Sequence, residues 1–474
     1  MAASGTNREL LVELRRGTAP LRAQLETGLR DAVRSGRLTR GERMPATRVL
    51  AADLGVSRRL VVEAYAQLVA EGYLVARRGS GTTVSSGRAA AVPPTPERPA
   101  RPLRFDFFPG SPDLASFPRA AWLRALRDAL RTAPDAALGY PDERGAPELR
   151  AALAAHLGRT RGVATDPTRV VVCAGAAQGL GLVARALGPG ARIAVEDPTL
   201  PEHRSMLEGA GAEVVPIGVD AHGLLTGALE RAAVDAVVVT PAHQSPTGVA
   251  LAPDRRAALA AWAREGRLVV EDDYDAEFRY DRPPIGALQG LAPEHVAYLG
   301  SASKSLAPAL RLGWLALPAD LVAAVARERR LADRGTPTLD QLALAGLLDS
   351  GAFDRHLRAA RRTYAARRSA LAAALDEHLP GARLEGMAAG LHAVVRLPVA
   401  VDEQALLRAA ARRSVGVYPL GWGYAQPQAL GGALVLGYAC LAEPAIREGI
   451  RLLAEAVAEL SDPASAPGAS ARTP

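Results

Sequence analysis

A chain of 474 residues, 49% hydrophobic and 23% charged, has the balance of a globular protein with apolar material for more than one core. Two cysteines, Cys173 and Cys440, exclude a disulfide framework and a cysteine-based zinc site, and no apolar run approaches the roughly 20 residues that span a bilayer. The net charge is +7, and residues 1–88 account for all of it, with 15 arginines against 8 acidic side chains, so a nucleic-acid arm on a neutral body is one reading and a solvated basic face the other.

The opening residues carry no apolar signal core, and a cytoplasmic location is the expectation. Pro20 to Arg34 places Leu21, Leu25, Leu29 and Val33 at i, i+4 spacing, which predicts an amphipathic helix. A short second helix follows over Thr47 to Leu54 and stops at Gly55. Ser57 is an N-cap for a third, with Leu60, Val61, Ala64, Tyr65 and Leu68 inward and Gly72 at its end. Two short helices joined through a glycine are the signature of a helix-turn-helix. Tyr73–Ala76 and Thr82–Val84 then read as strands around the basic tip Arg77-Arg78-Gly79-Ser80-Gly81, a hairpin or wing.

A Pro- and Ala-rich stretch, 87–103, reads as a linker. Beyond it the pattern alternates between apolar strands and helices. Val170–Val172, Arg192–Val195, Val214–Ile217, Ala236–Thr240, Leu268–Val270 and Val296–Leu299 are the strands, and Pro253–Arg264 is one of the helices between them. Such runs predict an α/β unit with a mainly parallel sheet covered on both faces, whose ligands gather at the carboxyl ends of the strands. The last residues, 462–474, are rich in Ala, Ser and Pro and read as a disordered tail.

Three of those strand ends carry chemistry. Val170–Cys173 runs into Ala174-Gly175-Ala176-Ala177-Gln178-Gly179, a turn opening a helix whose free N–H groups can seat a phosphate, as in many α/β proteins. Leu268–Val270 runs into Glu271-Asp272-Asp273-Tyr274-Asp275; a solvated acidic loop is an alternative for that cluster alone. Val296–Leu299 runs into Gly300-Ser301-Ala302-Ser303-Lys304, with Arg311 seven residues on. Lys304 is the only lysine among 57 basic residues, and the rest are arginine. Arginine keeps its proton and cannot be an amine nucleophile, whereas lysine can lose its proton and form a Schiff base. A phosphate seat, a carboxylate for a ring nitrogen and an amine for an aldehyde together match the handles of pyridoxal 5′-phosphate.

Gly41-Glu42-Arg43-Met44-Pro45-Ala46-Thr47-Arg48, Leu54-Gly55-Val56-Ser57-Arg58, Leu68-Val69-Ala70-Glu71-Gly72-Tyr73 and Gly79-Ser80-Gly81-Thr82 resemble the winged helix-turn-helix of the GntR family. Thr240-Pro241-Ala242-His243-Gln244-Ser245-Pro246-Thr247-Gly248, Glu271 to Phe278, and Ser303-Lys304 with Arg311 resemble a fold-type I aminotransferase. The whole chain is similar to MocR/GabR-type regulators, which join the two. The resemblance implies a DNA-binding domain over 8–86, a linker over 87–103, a pyridoxal-phosphate-binding domain over 104–461 and a tail over 462–474. It implies DNA contacts from Arg48, Ser57, Arg58, Arg78 and Gly79, and arginines at a helix start do suit phosphates and guanine. For the cofactor it implies Lys304 as the Schiff-base residue, Asp272 at the pyridinium, Tyr274 at the phenolic oxygen, and Ala176, Ala177, Ser301 and Arg311 around the phosphate. Tyr140, in Gly139-Tyr140-Pro141, matches a tyrosine that reaches the neighbouring subunit's phosphate, which implies a homodimer.

Three positions depart from the aminotransferase pattern. Leu200 stands where an aromatic residue usually stacks on the ring, Ser245 stands in place of asparagine, and Ala433 falls near the place of the carboxylate-gripping arginine. The expectation is therefore a transcriptional regulator that binds an operator and senses an amine, an amino acid or the cofactor itself. The alternatives are a working aminotransferase with an appended DNA-binding domain, and a DNA-binding protein whose body holds no cofactor.

Overall fold

A computed structural model describes Leu14 and residues 19–77, 81–85, 103–281 and 285–461. The chain divides into two compact units, residues 1–100 and 101–474. Most of the expected linker and all of the expected tail lie outside the described residues.

In the first unit α1 (Leu21–Arg34), α2 (Thr47–Asp53) and α3 (Arg58–Ala70) precede a hairpin of β1 (Leu74–Arg77) and β2 (Gly81–Val84). The periodic leucines explain the packing: Leu25, Leu29 and Val33 of α1 meet Val61, Ala64, Tyr65 and Leu68 of α3 in one buried cluster with Leu50, Leu74 and Val84. Ser57 Oγ accepts the Leu60 N–H at 3.2 Å, so α3 starts where its cap residue predicts. The hairpin closes on the preceding loop, because the Met44 N–H donates to Thr82 and the Val84 N–H donates to Glu42.

The second unit begins with β3 (Phe105–Asp106), α4 (Arg119–Thr132) and α5 (Pro147–Arg161) and continues into an eight-stranded sheet. Its strands in chain order are β4 (Val170–Cys173), β5 (Arg192–Asp197), β6 (Glu213–Asp220), β7 (Gly223–Leu224), β8 (Ala236–Val239), β9 (Leu268–Asp272), β10 (Val296–Ser301) and β11 (Gly313–Ala316). In space the order is β4-β11-β10-β9-β8-β5-β6-β7, parallel from β10 through to β6 and antiparallel at both margins.

Both faces of this sheet are buried at β4, β8, β9 and β10, which is why those strands read as unbroken apolar runs. Val171 and Cys173 face one cluster with α6 (Ala176–Leu187) and Leu207 of α7 (Pro201–Gly209), and Val170 and Val172 face the opposite core with α5. Farther along the sheet, Val237, Val239 and Val269 pack on α8 (Thr226–Arg231) and α9 (Pro253–Arg264). The remaining helices are α10 (Ala302–Ser305), α11 (Ala319–Asp333), α12 (Thr338–Asp349), α13 (Ala352–His378), α14 (Glu403–Arg412) and α15 (Glu443–Ser461).

Two of the features that were not read from the sequence bear on the site's frame. One is β11, a four-residue strand that reverses direction between β4 and β10. The other is a small antiparallel sheet of β12 (Arg383–Glu385), β13 (His392–Arg396), β15 (Tyr418–Pro419) and β16 (Ala433–Gly437), packed on α13 to α15; β14 (Val415–Gly416) pairs with β3 instead. Short apolar segments carry no mark of the partner that will pair with them, so neither was visible before the tertiary fold.

Candidate functional site

The strand order lines up the residues that the motifs singled out. The C-terminal ends of β4, β10 and β9 and the start of antiparallel β11 all lie at one edge of the sheet. The turn at Ala174-Gly175, then Arg311 ahead of β11, Ser301 at the end of β10 and Asp272 at the end of β9 therefore follow one another across it. Lys304 sits in the short α10 that begins right after Ser301.

Lys304 Nζ donates to the Gly110 carbonyl at 2.6 Å, a partner 194 residues earlier in the chain. Burial lowers the pKa of this amine, and the carboxylates of Asp275 and Asp272 act against that shift. Asp272 is itself buried, with one oxygen 3.7 Å from His203 Nε2 on α7 and the other, Oδ1, meeting no hydrogen-bond partner among the described residues. Burial, reinforced by Asp273 and opposed by Lys304, pushes its carboxyl up to about 7. Burial pushes His203 down to about 4, so this imidazole stays neutral near pH 7. Tyr274 Oη lies 3.0 Å from His243 Nδ1, and burial raises this phenol well above its ordinary value.

At the other end of the row, Ala176 and Ala177 open α6 with Gly175 as N-cap and no side chain capping the turn. Gly175 has φ +87°, and a Cβ there would stand 3.1 Å from the Arg311 guanidinium, so a larger residue would both strain the backbone and crowd that side chain. Arg311 donates to the Ala174 carbonyl and holds a left-handed backbone at φ 50°. Helix N–H groups and one guanidinium thus meet at one place, an arrangement suited to an anion. An amine of lowered pKa, a buried carboxylate oxygen with no partner among the described residues and this arrangement suit an aromatic aldehyde bearing a phosphate and a ring nitrogen.

Tyr140 does not join this row. It is 84% exposed, with the Arg334 guanidinium 5.2 Å from its ring centroid. Of the three departures, Leu200 is the N-cap of α7, one turn ahead of His203, and remains part exposed. Ser245 is buried and hydrogen-bonds Tyr274. Ala433 lies at the first position of β16 in an apolar cluster with Val394, Leu420 and Val435. Gly110, His203, Asp275 and His243 were given no role from sequence. Asp275 and His243 lie inside the aminotransferase-like segments, but nothing local marks Gly110 or His203.

In the first unit, Arg48 on α2 and Arg58 at the start of α3 are both exposed, and Ser57 caps α3 beside them. Arg78 and Gly79 lie outside the described residues. Arg43, given no role from sequence, is exposed and bridges to Thr83, with its guanidinium against Gly81.

Comparison with known proteins agrees with this layout. Residues 21–84 match the family of bacterial regulatory proteins of the gntR type, and residues 110–427 match aminotransferase class I and II. The HTH-type pyridoxine biosynthesis transcriptional regulator PdxR of Corynebacterium glutamicum is 38% identical over 78% of this chain and 82% of its own length. The probable rhizopine catabolism regulatory protein MocR of Rhizobium meliloti is 34% identical over 97% of this chain and 98% of its own. Among solved structures, the kynurenine aminotransferase of Pyrococcus horikoshii in complex with PMP superposes with a TM-score of 0.69 at 29% identity, over 75% of this chain and 91% of that one. The chain belongs to the family of HTH-type transcriptional regulators, MocR among them, that join a GntR-type DNA-binding unit to an aminotransferase class I and II unit.

Proposed function

We propose that this regulator holds pyridoxal 5′-phosphate through Lys304 in its aminotransferase-like unit and reports an amine, an amino acid or the cofactor itself to its DNA-binding unit, in the cytoplasm. The observation that carries the reading is the buried Asp272 Oδ1, which meets no hydrogen-bond partner among the described residues and stands beside the chain's only lysine. In this reading Asp272 holds the pyridinium nitrogen, Tyr274 the phenolic oxygen, and Ala176, Ala177, Ser301 and Arg311 the phosphate. The cofactor supplies an aldehyde for amine capture and a ring that draws electrons. The relative PdxR is by name a regulator of pyridoxine biosynthesis, which favours the cofactor as one effector.

Arg48, Ser57, Arg58, Arg78 and Gly79 are assigned to a double-stranded DNA operator. Tyr140 is assigned to the phosphate of a second subunit. Tyr140 is exposed and lines a groove of about 620 Å3, which supports a homodimer that covers this face.

The test is reduction with borohydride after incubation with pyridoxal 5′-phosphate, followed by peptide mapping. Label is expected on the single peptide that contains Lys304. In parallel, candidate amines and free cofactor are titrated while the visible band and DNA retention are followed together. An unlabelled peptide overturns the cofactor reading. Sustained amino-acid turnover at ordinary enzyme rates, with DNA retention indifferent to every ligand, overturns the sensing reading.

A further inference from the structure

His243 is a buried polar residue for which the cofactor reading has no task. It follows β8 in Pro241-Ala242-His243-Gln244-Ser245-Pro246 and is 3% exposed. Its Nδ1 lies 3.0 and 3.1 Å from the two oxygens of Asp275, which is 1% exposed, and 3.0 Å from Tyr274 Oη. A carboxylate can only accept, so the proton in the Asp275 contact belongs to His243 Nδ1. The tautomer is thus set by Asp275, as a carboxylate sets the imidazole it holds.

The ring has little room to leave this arrangement. A Cβ on Gly390 would stand 2.5 Å from Asp275 Oδ2 and 2.7 Å from His243 Nδ1, so a glycine there lets the chain close over the pair. His392 packs beside the ring at 5.4 Å between centroids and is the other titratable side chain against it. Its own Nε2 points to the Pro246 carbonyl at 3.2 Å and so does not compete for Nδ1. Asp275 also acts on Lys304 and Asp272, raising the pKa of each.

This geometry decides what the Tyr274 hydroxyl can do. Nδ1 stands within hydrogen-bond distance of both the Asp275 carboxylate and the Tyr274 oxygen, and with its proton held by Asp275 it can meet the phenol only as a donor, never as an acceptor. Ser245 contacts the same phenol. The phenol's own proton is then not donated to His243 and remains for another acceptor. We infer that Asp275 and His243 act as a positioning pair that fixes Tyr274 as a proton donor to the ring oxygen of the bound cofactor. The inference rests on the assignment of Tyr274 given above and adds the residues that aim it.

The experiment uses the full-length protein loaded with pyridoxal 5′-phosphate and titrates its visible Schiff-base band against pH. A donor to the ring oxygen draws electron density from it and weakens its hold on the neighbouring Schiff-base proton, so losing the donor raises the midpoint. Tyr274→Phe is expected to raise the midpoint by about one pH unit, the scale of a single hydrogen bond. His243→Leu is expected to raise it at least half as far, and His243→Asn, whose amide N–H can replace Nδ1–H, to stay near wild type.

A shift in Tyr274→Phe with none in His243→Leu overturns the positioning pair and leaves His243 as packing. No shift in either variant overturns the Tyr274 assignment and the pair with it. A second measurement needs no variant and no cofactor. The Nδ1 proton of His243 in the unloaded wild type should give a slowly exchanging low-field proton resonance, and its absence at pH 7 overturns the pair.

Discussion

Asp272 shows how one side chain can oppose stability in one state and serve binding in another. Its carboxyl, pushed up to about 7 by burial, keeps a proton in the folded chain at pH values where an unfolded aspartate has already lost it. The folded state is therefore favoured as pH falls from about 7 towards about 4, and the cost of charging the buried group appears as pH rises through about 7. Asp272→Asn should raise the melting temperature of the unloaded protein more at pH 8 than at pH 5, as thermal unfolding at the two pH values will report. The same change should weaken pyridoxal 5′-phosphate binding by about 10- to 100-fold, the worth of a charge-assisted hydrogen bond. Lys304 was legible as a candidate because it is the only lysine. Its partner Gly110 was not, because a carbonyl 194 residues away has no local signature.

The helices and strands that were read from the sequence were legible from periodicity and caps, while most of the helices of the second unit were not named from it. The i, i+4 leucines set α1, and Ser57 sets the start of α3. Ser57→Ala should cost about 1 kcal/mol in the stability of the DNA-binding unit, readable in denaturant unfolding. Arg58→Ala should weaken operator binding and leave cofactor content unchanged; equal affinity in a DNA-retention assay would remove α3 from the DNA surface. β11 was not legible, yet it brings Arg311 to the Ala174-Gly175 turn. Gly313 on that strand approaches the turn so closely that a Cβ would stand 2.7 Å from Gly175 Cα. Gly313→Ala therefore pushes two backbones apart, at a cost of about 1–3 kcal/mol. Weaker cofactor binding in that variant, measured from the visible band, is the expected companion effect.

Across the whole molecule, charge and sequence order carry the division of labour. The excess of arginine within residues 1–88 predicts that log K for DNA falls linearly with log salt, by about 0.9 for each phosphate neutralised. A flat salt response in a binding titration would remove the arginines from the DNA surface. The sequence by itself determined the order of the two units, the winged helices, the alternation of buried strands with helices, and the chemical identities of Lys304, Asp272, Tyr274 and Arg311. These depend on composition, period and local motif, all of which are properties of neighbouring residues. Only the tertiary structure decided that β11 runs backwards between β4 and β10, that Gly110 holds the Lys304 amine, that His203 stands by Asp272, and that Asp275 and His243 meet at the Tyr274 hydroxyl. Each of those contacts joins segments brought together by sheet order and burial, and nothing local in the chain encodes such a meeting.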